Sequence, residues 1–170
     1  QGRYDEALSG FLPLQDNAKY KDLVPYYIAE IYLLKKQYDK AEIVAQNALS
    51  AHPDGLSYTH TAELNRILGT AEYHFGKYHE AIKSFEQYLE HNAESATHRR
   101  DALYMLGMSY YGQGDYATAS QSFVTYYTTY PRGEYAEDAR FYAGKALFLD
   151  TAEPRLDQTN TYSAIQQLQL

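Results

Sequence analysis

The sequence predicts an all-α fold, a right-handed α-solenoid of four to five helical hairpins. Three observations support this prediction. One motif recurs along the chain, its copies lie at nearly regular intervals, and the residues between them repeat an apolar pattern at helical spacing. A regular interval of this size is typical of proteins built from stacked supersecondary units. Such proteins offer extended binding surfaces, so the fold class favours recognition over catalysis.

The recurring motif has the form Gly-x-Tyr-x-x-Ala-x-x-x-Phe, and it predicts the turn and the second helix of each hairpin. Copies occupy residues 2–11, 76–85 and 114–123, and a variant copy at residues 36–45 has Lys36 in place of the glycine. The alanine of the motif recurs at intervals of 34, 40 and 38 residues, as Ala7, Ala41, Ala81 and Ala119.

The residues before each motif predict the first helix of each hairpin. They combine apolar, small and aromatic side chains at a spacing that places them along one side of a helix. Glycine or alanine at the small position lets the two helices of a hairpin approach closely. The pattern is formed by Ile28, Ala29 and Tyr32, by Leu68, Gly69 and Tyr73, and by Leu103, Leu106, Gly107 and Tyr110.

Five repeats are predicted within a single solenoid that spans residues 1–170. They cover roughly residues 1–20, 22–55, 60–95, 98–131 and 135–170. Proline stops helices because its ring carries no N–H, and Pro53 and Pro131 mark two of the repeat ends. The chain opens inside a repeat and stops within a predicted helix, so we expect it to be a fragment at both ends.

The last repeat departs from the pattern. Residues 138–144 repeat residues 101–107 at an offset of 37 and predict a first helix, but the motif alanine that follows comes eight residues later than expected. The polar residues between them predict a lengthened loop, and loops of this kind often carry function. Arg155, Asp157 and Gln158 are the candidate partner-binding residues of this loop, and Asp157 also suits a helix cap.

The composition excludes several classes of function. A net charge of −7 at pH 7 disfavours nucleic acid as a partner, because phosphates require a basic surface. The sequence contains no cysteine, which excludes disulfides, thiolate nucleophiles and cysteine-ligated zinc. No apolar run approaches the ~20 residues that cross a bilayer. We therefore expect contact with a membrane only through a lipid anchor outside this sequence.

No arrangement of residues predicts catalysis, a metal site or a cofactor. His74 and His79 are five residues apart across a turn, which does not place two imidazoles on one side of a helix. Residues 112–114 form a lone Gly-x-Gly that belongs to the repeat turn and not to a dinucleotide loop. Carboxylates such as Glu137 suit helix starts, where they complement the helix dipole. We expect the chain not to be an enzyme.

The motif and its intervals resemble the tetratricopeptide repeat, over nearly the whole chain. A narrower resemblance rests on residues 156–165, Leu-Asp-Gln-Thr-Asn-Thr-Tyr-Ser-Ala-Ile, and on residues 130–131 followed by residues 135–140. These stretches are similar to the BamD family, the periplasmic lipoproteins of the outer-membrane β-barrel assembly machinery. The similarity extends from about residue 98 to residue 170, whereas residues 1–61 look more like a generic multi-repeat scaffold.

The narrower resemblance implies a non-catalytic scaffold in the periplasm, associated with the inner face of the outer membrane. Its partners would be barrel-assembly components and unfolded outer-membrane proteins, bound as proteins or extended peptides. The alternative is a generic tetratricopeptide scaffold within a larger regulatory or secretion-linked protein. A lipidation cysteine upstream of this sequence would favour the first interpretation, and a long upstream array of repeats would favour the second.

Repeat geometry places the first helices along a concave groove, and counting from the motif alanine identifies the side chains expected to line it. These groove positions are Tyr26, Glu30, Leu33, Arg66, Thr70, Tyr73, Tyr104, Met108, Tyr111, Phe141, Lys145 and Phe148. We expect a tyrosine-rich trough for an extended apolar or aromatic peptide, with Arg66 and Lys145 placed for a carboxylate. The alternative is that many of these rings pack between neighbouring helices.

Overall fold

The computed structural model describes residues 2–51, 58–91 and 96–152, and the ordered elements in these ranges are all helical. A short 3₁₀ turn, Leu12–Leu14, follows the first helix. The α-helices are α1 (Gly2–Phe11), α2 (Val24–Leu34), α3 (Tyr38–Ala51), α4 (Tyr58–His74), α5 (Tyr78–Glu90), α6 (Ala96–Gln113), α7 (Tyr116–Thr129) and α8 (Ala136–Ala152). The predicted division into five repeats stays a prediction, because residues 153–170 lie outside the described ranges.

The chain divides into two compact units, Gln1–Ala102 and Leu103–Leu170. In the first unit α2, α3, α4 and α5 pack in sequence order, and small side chains make their close contacts possible. Tyr26, Tyr32 and Leu33 pack against the edge of the central cluster. That cluster consists of Ala29, Ala41, Ala45, Ala48, Leu64, Ile67 and Leu68.

The turn within each hairpin uses one residue in the left-handed backbone region. Gly76 has a φ of +74° and Gly114 a φ of +89°, and Lys36 takes the same conformation with a φ of +59°. The next residue donates its N–H to the carbonyl five residues earlier in all three turns, at 2.8 to 3.0 Å. The sequence variant at Lys36 therefore keeps the turn, although a side chain makes this conformation costly.

The small position of each first helix lies directly beneath a side chain of the second helix. A Cβ atom added at Gly69 would lie 3.0 Å from the ring of Phe85, and one added at Gly107 would lie 2.9 Å from the ring of Phe123. These distances are shorter than ordinary carbon contacts, so each glycine makes room for a phenyl ring. The expectation that the small residue permits close helix approach is met at these two positions.

In the second unit, α8 packs on α7 through a strip of alanines. Ala136, Ala139, Ala143 and Ala146 are all buried, and Ser120 Oγ of α7 donates a hydrogen bond to the Ala143 carbonyl at 3.1 Å. Alanines at this spacing share one side of α8. The opposite side of α8 is therefore directed away from the helix that covers the alanines.

Candidate protein-binding surface

A buried arginine occupies the first groove position of α4. Arg66 is 6% exposed, and its guanidinium donates to Glu63 Oε2 at 2.7 Å and to Glu30 Oε2 at 2.6 Å. Glu63 lies one turn earlier on α4, whereas Glu30 comes from α2. Burial by itself would lower the pKa of Arg66, but the two carboxylates outweigh burial and raise the pKa above its ordinary value. Arg66 is thus the centre of a cluster that includes the acidic side chains of Glu63 and Glu30.

This ion cluster corrects the expectation that Arg66 is placed for the carboxylate of a partner. Both carboxylates that contact Arg66 belong to the chain itself, and Glu30 is engaged in the same ion pair. Thr70, one turn further along α4, is also buried, and its hydroxyl donates to the Arg66 carbonyl at 2.8 Å. A buried charge is tolerated only when it is paired. These groove positions therefore serve the packing of α2 against α4.

The predicted tyrosines of the first unit are partly covered by neighbouring rings. The ring centroid of Tyr26 lies 5.2 Å from that of Tyr27 and 5.5 Å from that of His60, and burial raises the pKa of Tyr26. The ring of Tyr73 lies 6.1 Å from that of Tyr78, the motif tyrosine at the start of α5. Both tyrosines are only partly exposed, so neither offers its whole surface to a partner.

In the second unit, Tyr104 is held by a stack with Tyr135. Their ring centroids are 4.3 Å apart and their planes differ by 4°. The ring of Tyr104 also lies 5.9 Å from that of Phe123 and 5.8 Å from that of Tyr126. Aromatic pairs at these separations stabilise a fold beyond the burial of their surface. Tyr104 therefore has a structural role that the spacing of the repeats did not predict.

Met108 and Tyr111 continue this aromatic packing along α6. Met108 packs against the buried cluster that contains Phe123, and Tyr111 meets Tyr116 and Tyr142 edge-on, with ring centroids 5.5 Å and 5.3 Å apart. All three predicted groove residues of α6 are half-buried. The alternative interpretation, in which many rings pack between helices, describes α6 well.

The groove positions of α8 are exposed. Phe141 is 57% exposed and Phe148 is 58% exposed, and Lys145 lies between them on the same side of the helix. The Lys145 ammonium lies 5.9 Å from the ring centroids of both Tyr111 and Phe141, within the range of cation–π attraction. In the described part of the chain it forms no salt bridge. We call Phe141, Lys145 and Phe148 the aromatic face of α8.

Three of the predicted contact residues lie outside the described part of the chain. The repeat spacing also failed to identify two residues that contact the predicted groove positions. Arg155, Asp157 and Gln158 lie outside the described residues. Glu63 was missed, although its position three residues before Arg66 on a helix is a recognisable signal for an ion pair. Tyr135 was missed too, because it precedes α8 and no repeat position marks it as a stacking partner.

A second cluster of polar side chains lines a cleft of about 380 Å³ in the first unit. The cleft is lined in part by Glu42, Glu72 and Lys77, and the Lys77 ammonium donates to both Glu42 carboxylate oxygens at 2.9 and 3.0 Å. Burial raises the pKa of Glu72, whose carboxylate accepts a hydrogen bond of 2.6 Å from the Ser84 hydroxyl. The polar groups of this cleft are occupied by one another, so we assign it no ligand.

Metal binding and membrane insertion find no support in residues 2–51, 58–91 and 96–152. Within these ranges no three His, Cys, Asp or Glu side chains are grouped so that they could hold a metal ion. None of the helices found there combines the length and the apolar character needed to span a bilayer.

Comparisons with known proteins agree with the fold. Residues 58–132 match the family described as tetratricopeptide repeat. The solved structure described as "MamA MSR-1 C2" is similar to this chain, with a TM-score of 0.62 and 16% sequence identity over 99% of this chain and 88% of that chain. No curated protein matches the sequence significantly. The predicted fold class, an all-α solenoid of helical hairpins, is confirmed.

The comparisons support a function only in general terms. The repeat match and the fold support a protein-interaction scaffold, and they indicate no enzyme family. The narrower resemblance to the BamD family is not confirmed by them.

Proposed function

We propose that the chain is a non-catalytic scaffold that binds an extended segment of another protein along the aromatic face of α8. The observation that carries this proposal is the exposure of Phe141 and Phe148, each above one half, on the side of α8 opposite its buried alanines. At the matching positions of α4 and α6 the side chains are buried or half-buried. A binding segment would find its anchoring surface on α8.

The two phenylalanines leave a useful amount of apolar surface to bury. A phenyl side chain buries ~150–250 Å² in all, so more than half of that area is still in contact with water at each ring. At about 25 cal/mol per Å², burying the remainder contributes roughly 2 to 3 kcal/mol per ring before the costs of association. Two such anchors would supply a substantial share of the binding free energy, in keeping with the small number of residues that dominate most interfaces.

Lys145 defines the chemistry of the segment that fits this face. Its ammonium is a donor held beside two aromatic rings and is free of salt bridges to described residues. A carboxylate placed there gains charge-assisted hydrogen bonds, while an aromatic side chain next to it packs on Phe141 or Phe148. We therefore propose as ligand a peptide that carries an aromatic residue close to a carboxylate, such as its own carboxy terminus.

A BamD-like role in outer-membrane protein assembly is the more specific form of this proposal. It is supported by the resemblance of residues 130–131, 135–140 and 156–165, stretches that precede, begin and follow α8. In that role the chain is periplasmic and is held at the outer membrane by a lipid anchor outside this sequence. Its partners are barrel-assembly components and unfolded barrel precursors, which end in an aromatic residue that bears the terminal carboxylate.

Calorimetric titration with such a peptide tests the proposal. The probe is a peptide that reproduces the aromatic-ended carboxy-terminal strand of an outer-membrane barrel protein. We expect saturable binding that weakens at least about tenfold, or 1.4 kcal/mol, in the double variant Phe141→Ala/Phe148→Ala. The control is Phe75→Ala, because Phe75 is 48% exposed in the other unit and lies outside the aromatic face.

The same titration separates the two forms of the proposal. Binding of the barrel peptide that is lost in the α8 variant but kept in the Phe75 variant supports the assembly role. Equal binding by all three proteins would exclude the aromatic face as the site. If the folded chain does not bind the peptide at all, the generic scaffold within a larger regulatory or secretion-linked protein becomes the better assignment.

A further inference from the structure

A cleft of about 360 Å³ lies in the first unit, between one side of α3 and the connection from α1 to α2. The connection contributes Asp16 and Lys21, and α3 contributes a row of small and polar side chains. Ligand sites in proteins have volumes from about 300 Å³ upward, so the cleft is large enough for a small ligand. It is hereafter the Asp16–Lys21 cleft.

The backbone of the connection is held in a fixed shape by its own hydrogen bonds. The Asn17 carbonyl accepts the N–H groups of Tyr20 and Lys21 at 3.0 and 2.8 Å. The Tyr20 carbonyl accepts the Val24 N–H at 2.9 Å, and the Asn17 side chain accepts the Lys19 N–H at 2.9 Å. A wall that is ordered before a ligand arrives lowers the entropy cost of binding.

The opposite wall of the cleft is one side of α3. It is formed by Val44, Asn47, Ala48 and Ala51, whose spacing places them along a single side of the helix. This row is about 10 Å long, the length of about three residues of extended chain. The two alanines leave room for a small side chain, and the Asn47 amide has both a donor and an acceptor, which suit a peptide bond. The wall therefore fits a short extended peptide.

Asp16 and Lys21 are the two charged side chains that line the cleft. Both are exposed, and within residues 2–51, 58–91 and 96–152 neither takes part in a salt bridge. Lys19, two residues before Lys21, differs because its ammonium lies 5.3 Å from the ring centroid of Tyr20. A ligand that carries one charge of each sign can pair with both side chains of the cleft.

We propose that the Asp16–Lys21 cleft binds a short extended segment of another protein, in which a small apolar residue lies between an acidic and a basic residue. In an extended chain the middle side chain points to one side and its two neighbours to the other. The small side chain then packs on Ala48, while the acidic side chain meets Lys21 and the basic side chain meets Asp16.

This recognition requires both charges of the segment. The chain has a net charge of −7, so a purely acidic segment is repelled, and a purely basic segment leaves Lys21 without a partner. The inference goes beyond the proposed function, because the cleft belongs to the first unit and its ligand needs neither an aromatic residue nor a chain terminus.

Titration of the isotope-labelled full chain, followed by NMR, tests the proposal. The probe is the capped tripeptide acetyl-Glu-Ala-Lys-amide, and we expect saturable shifts at the backbone amides of residues 44–51. A tripeptide held by exposed ion pairs binds weakly, with a dissociation constant of about 1 mM. The control peptide acetyl-Gln-Ala-Lys-amide lacks the acidic side chain and should bind roughly two- to fivefold more weakly, the contribution of one exposed ion pair.

Three variants locate the site. Lys21→Met removes the ammonium with little change in shape and should weaken binding roughly two- to fivefold. Lys19→Met is the matched control, because Lys19 belongs to the same connection but does not line the cleft, and its binding should be unchanged. Ala51→Phe fills one end of the cleft from an exposed position and should abolish binding while the melting temperature is kept.

Selective loss of binding in Lys21→Met and Ala51→Phe, with shifts in α3, would support the proposal. Equal losses in Lys19→Met and Lys21→Met would overturn it, because they would reveal an effect of net charge alone. Equal binding of the two peptides would also overturn it, since a cation is then attracted to an acidic surface without the cleft. Failure here would leave the aromatic face of α8 untouched, because that proposal is tested with a different peptide and different variants.

Discussion

The same position of the repeat is a buried arginine in α4 and an exposed phenylalanine in α8. Arg66 is 6% exposed and bound to two carboxylates, whereas Phe141 is 57% exposed. Tyr104 takes this position in α6 and is half-buried under Tyr135. The three residues follow one another at offsets of 38 and 37 along the chain. A shared register therefore fixes the side of the helix a residue occupies, but its environment depends on what packs there.

The difference between the two regions is a difference in covering partners. In the first unit, α2 supplies Glu30, and a polar cluster fills the space next to α4. In the second unit, Tyr135 and Tyr142 supply rings that fill the space next to α6. No described element covers the aromatic face of α8 in this way. A chain built from one repeat can thus use the same position for stability in one hairpin and leave it exposed in another, where we propose that it serves recognition.

The largest expected effect is that of removing the buried charge in α4. Arg66→Ala leaves Glu30 and Glu63 without their common partner, and breaking a buried ion pair from one side costs about 3–5 kcal/mol of folding free energy. Phe141→Ala, at the matching position, should change stability by less than about 0.5 kcal/mol because its ring is mostly in water. Urea denaturation of both variants measures the two values, and similar losses would contradict the contrast between the regions.

Tyr104→Ala is expected to have an intermediate effect on stability. Its ring is half-buried and stacks on Tyr135, so truncation should cost about 2 kcal/mol. Because the stack ties this side chain to folding, a loss of peptide binding in this variant would not by itself locate a binding site. Thermal unfolding followed by circular dichroism gives the stability directly. A neutral result would mean that the stack contributes nothing to folding.

The second helices of two hairpins can be compared at the position seven residues after the motif alanine. Tyr88 in α5 and Tyr126 in α7 are both fully buried, but their hydroxyls differ. Tyr126 Oη accepts a hydrogen bond from the Tyr135 N–H at 3.2 Å, whereas Tyr88 Oη has no hydrogen-bond partner among the described residues, and burial raises its pKa to about 12.

These two hydroxyls predict opposite effects of the same substitution. Tyr88→Phe removes an unsatisfied buried polar group and should raise the free energy of unfolding by about 1 kcal/mol. Tyr126→Phe removes the acceptor of the part-buried Tyr135 N–H and should lower the free energy of unfolding by about 1 kcal/mol. Chemical denaturation of the Tyr88→Phe and Tyr126→Phe variants at the same pH measures both changes in the free energy of unfolding. A loss of stability in both variants would show that Tyr88 has a partner that the contacts do not reveal.

A small gain in stability is expected at the turn between α2 and α3. Lys36 takes the left-handed conformation that Gly76 and Gly114 take in the other turns. Lys36→Gly removes a steric cost of about 1–2 kcal/mol, offset partly by the greater freedom of glycine in the unfolded chain. We expect a net gain of about 0.5–1 kcal/mol. Gly114→Lys is the matched reverse substitution and should lose stability, and a gain in that variant would contradict the turn assignment.

Much of the fold could be predicted from the sequence because the repeat is encoded locally. Gly69 and Gly107 are required by the rings above them, and Lys36 was recognisable as a turn residue from its place in the motif. Helical spacing then fixes which side of each helix carries the small and apolar residues. These features depend on residues within one hairpin, so a single sequence is enough to show them.

The candidate site was harder to predict because it depends on contacts between elements. Spacing placed Arg66 and Phe141 on the same groove, but the carboxylate of Glu30, from a different helix, decides that Arg66 is internal. The stack of Tyr135 on Tyr104 likewise has no counterpart in the motif. Pairings of this kind join residues that are about 30 or more positions apart, and no local pattern records them.

The central claim, that the aromatic face of α8 is the binding surface, can be tested by protection of a single thiol. The variant Phe148→Cys places the only cysteine of the chain on that face, and Phe75→Cys places one on the exposed surface of the first unit. Labelling rates are measured with and without a saturating amount of the aromatic-ended peptide. The account predicts that the peptide slows labelling at position 148 and leaves position 75 unchanged. Bound peptide that leaves the rate at position 148 unaltered would contradict it.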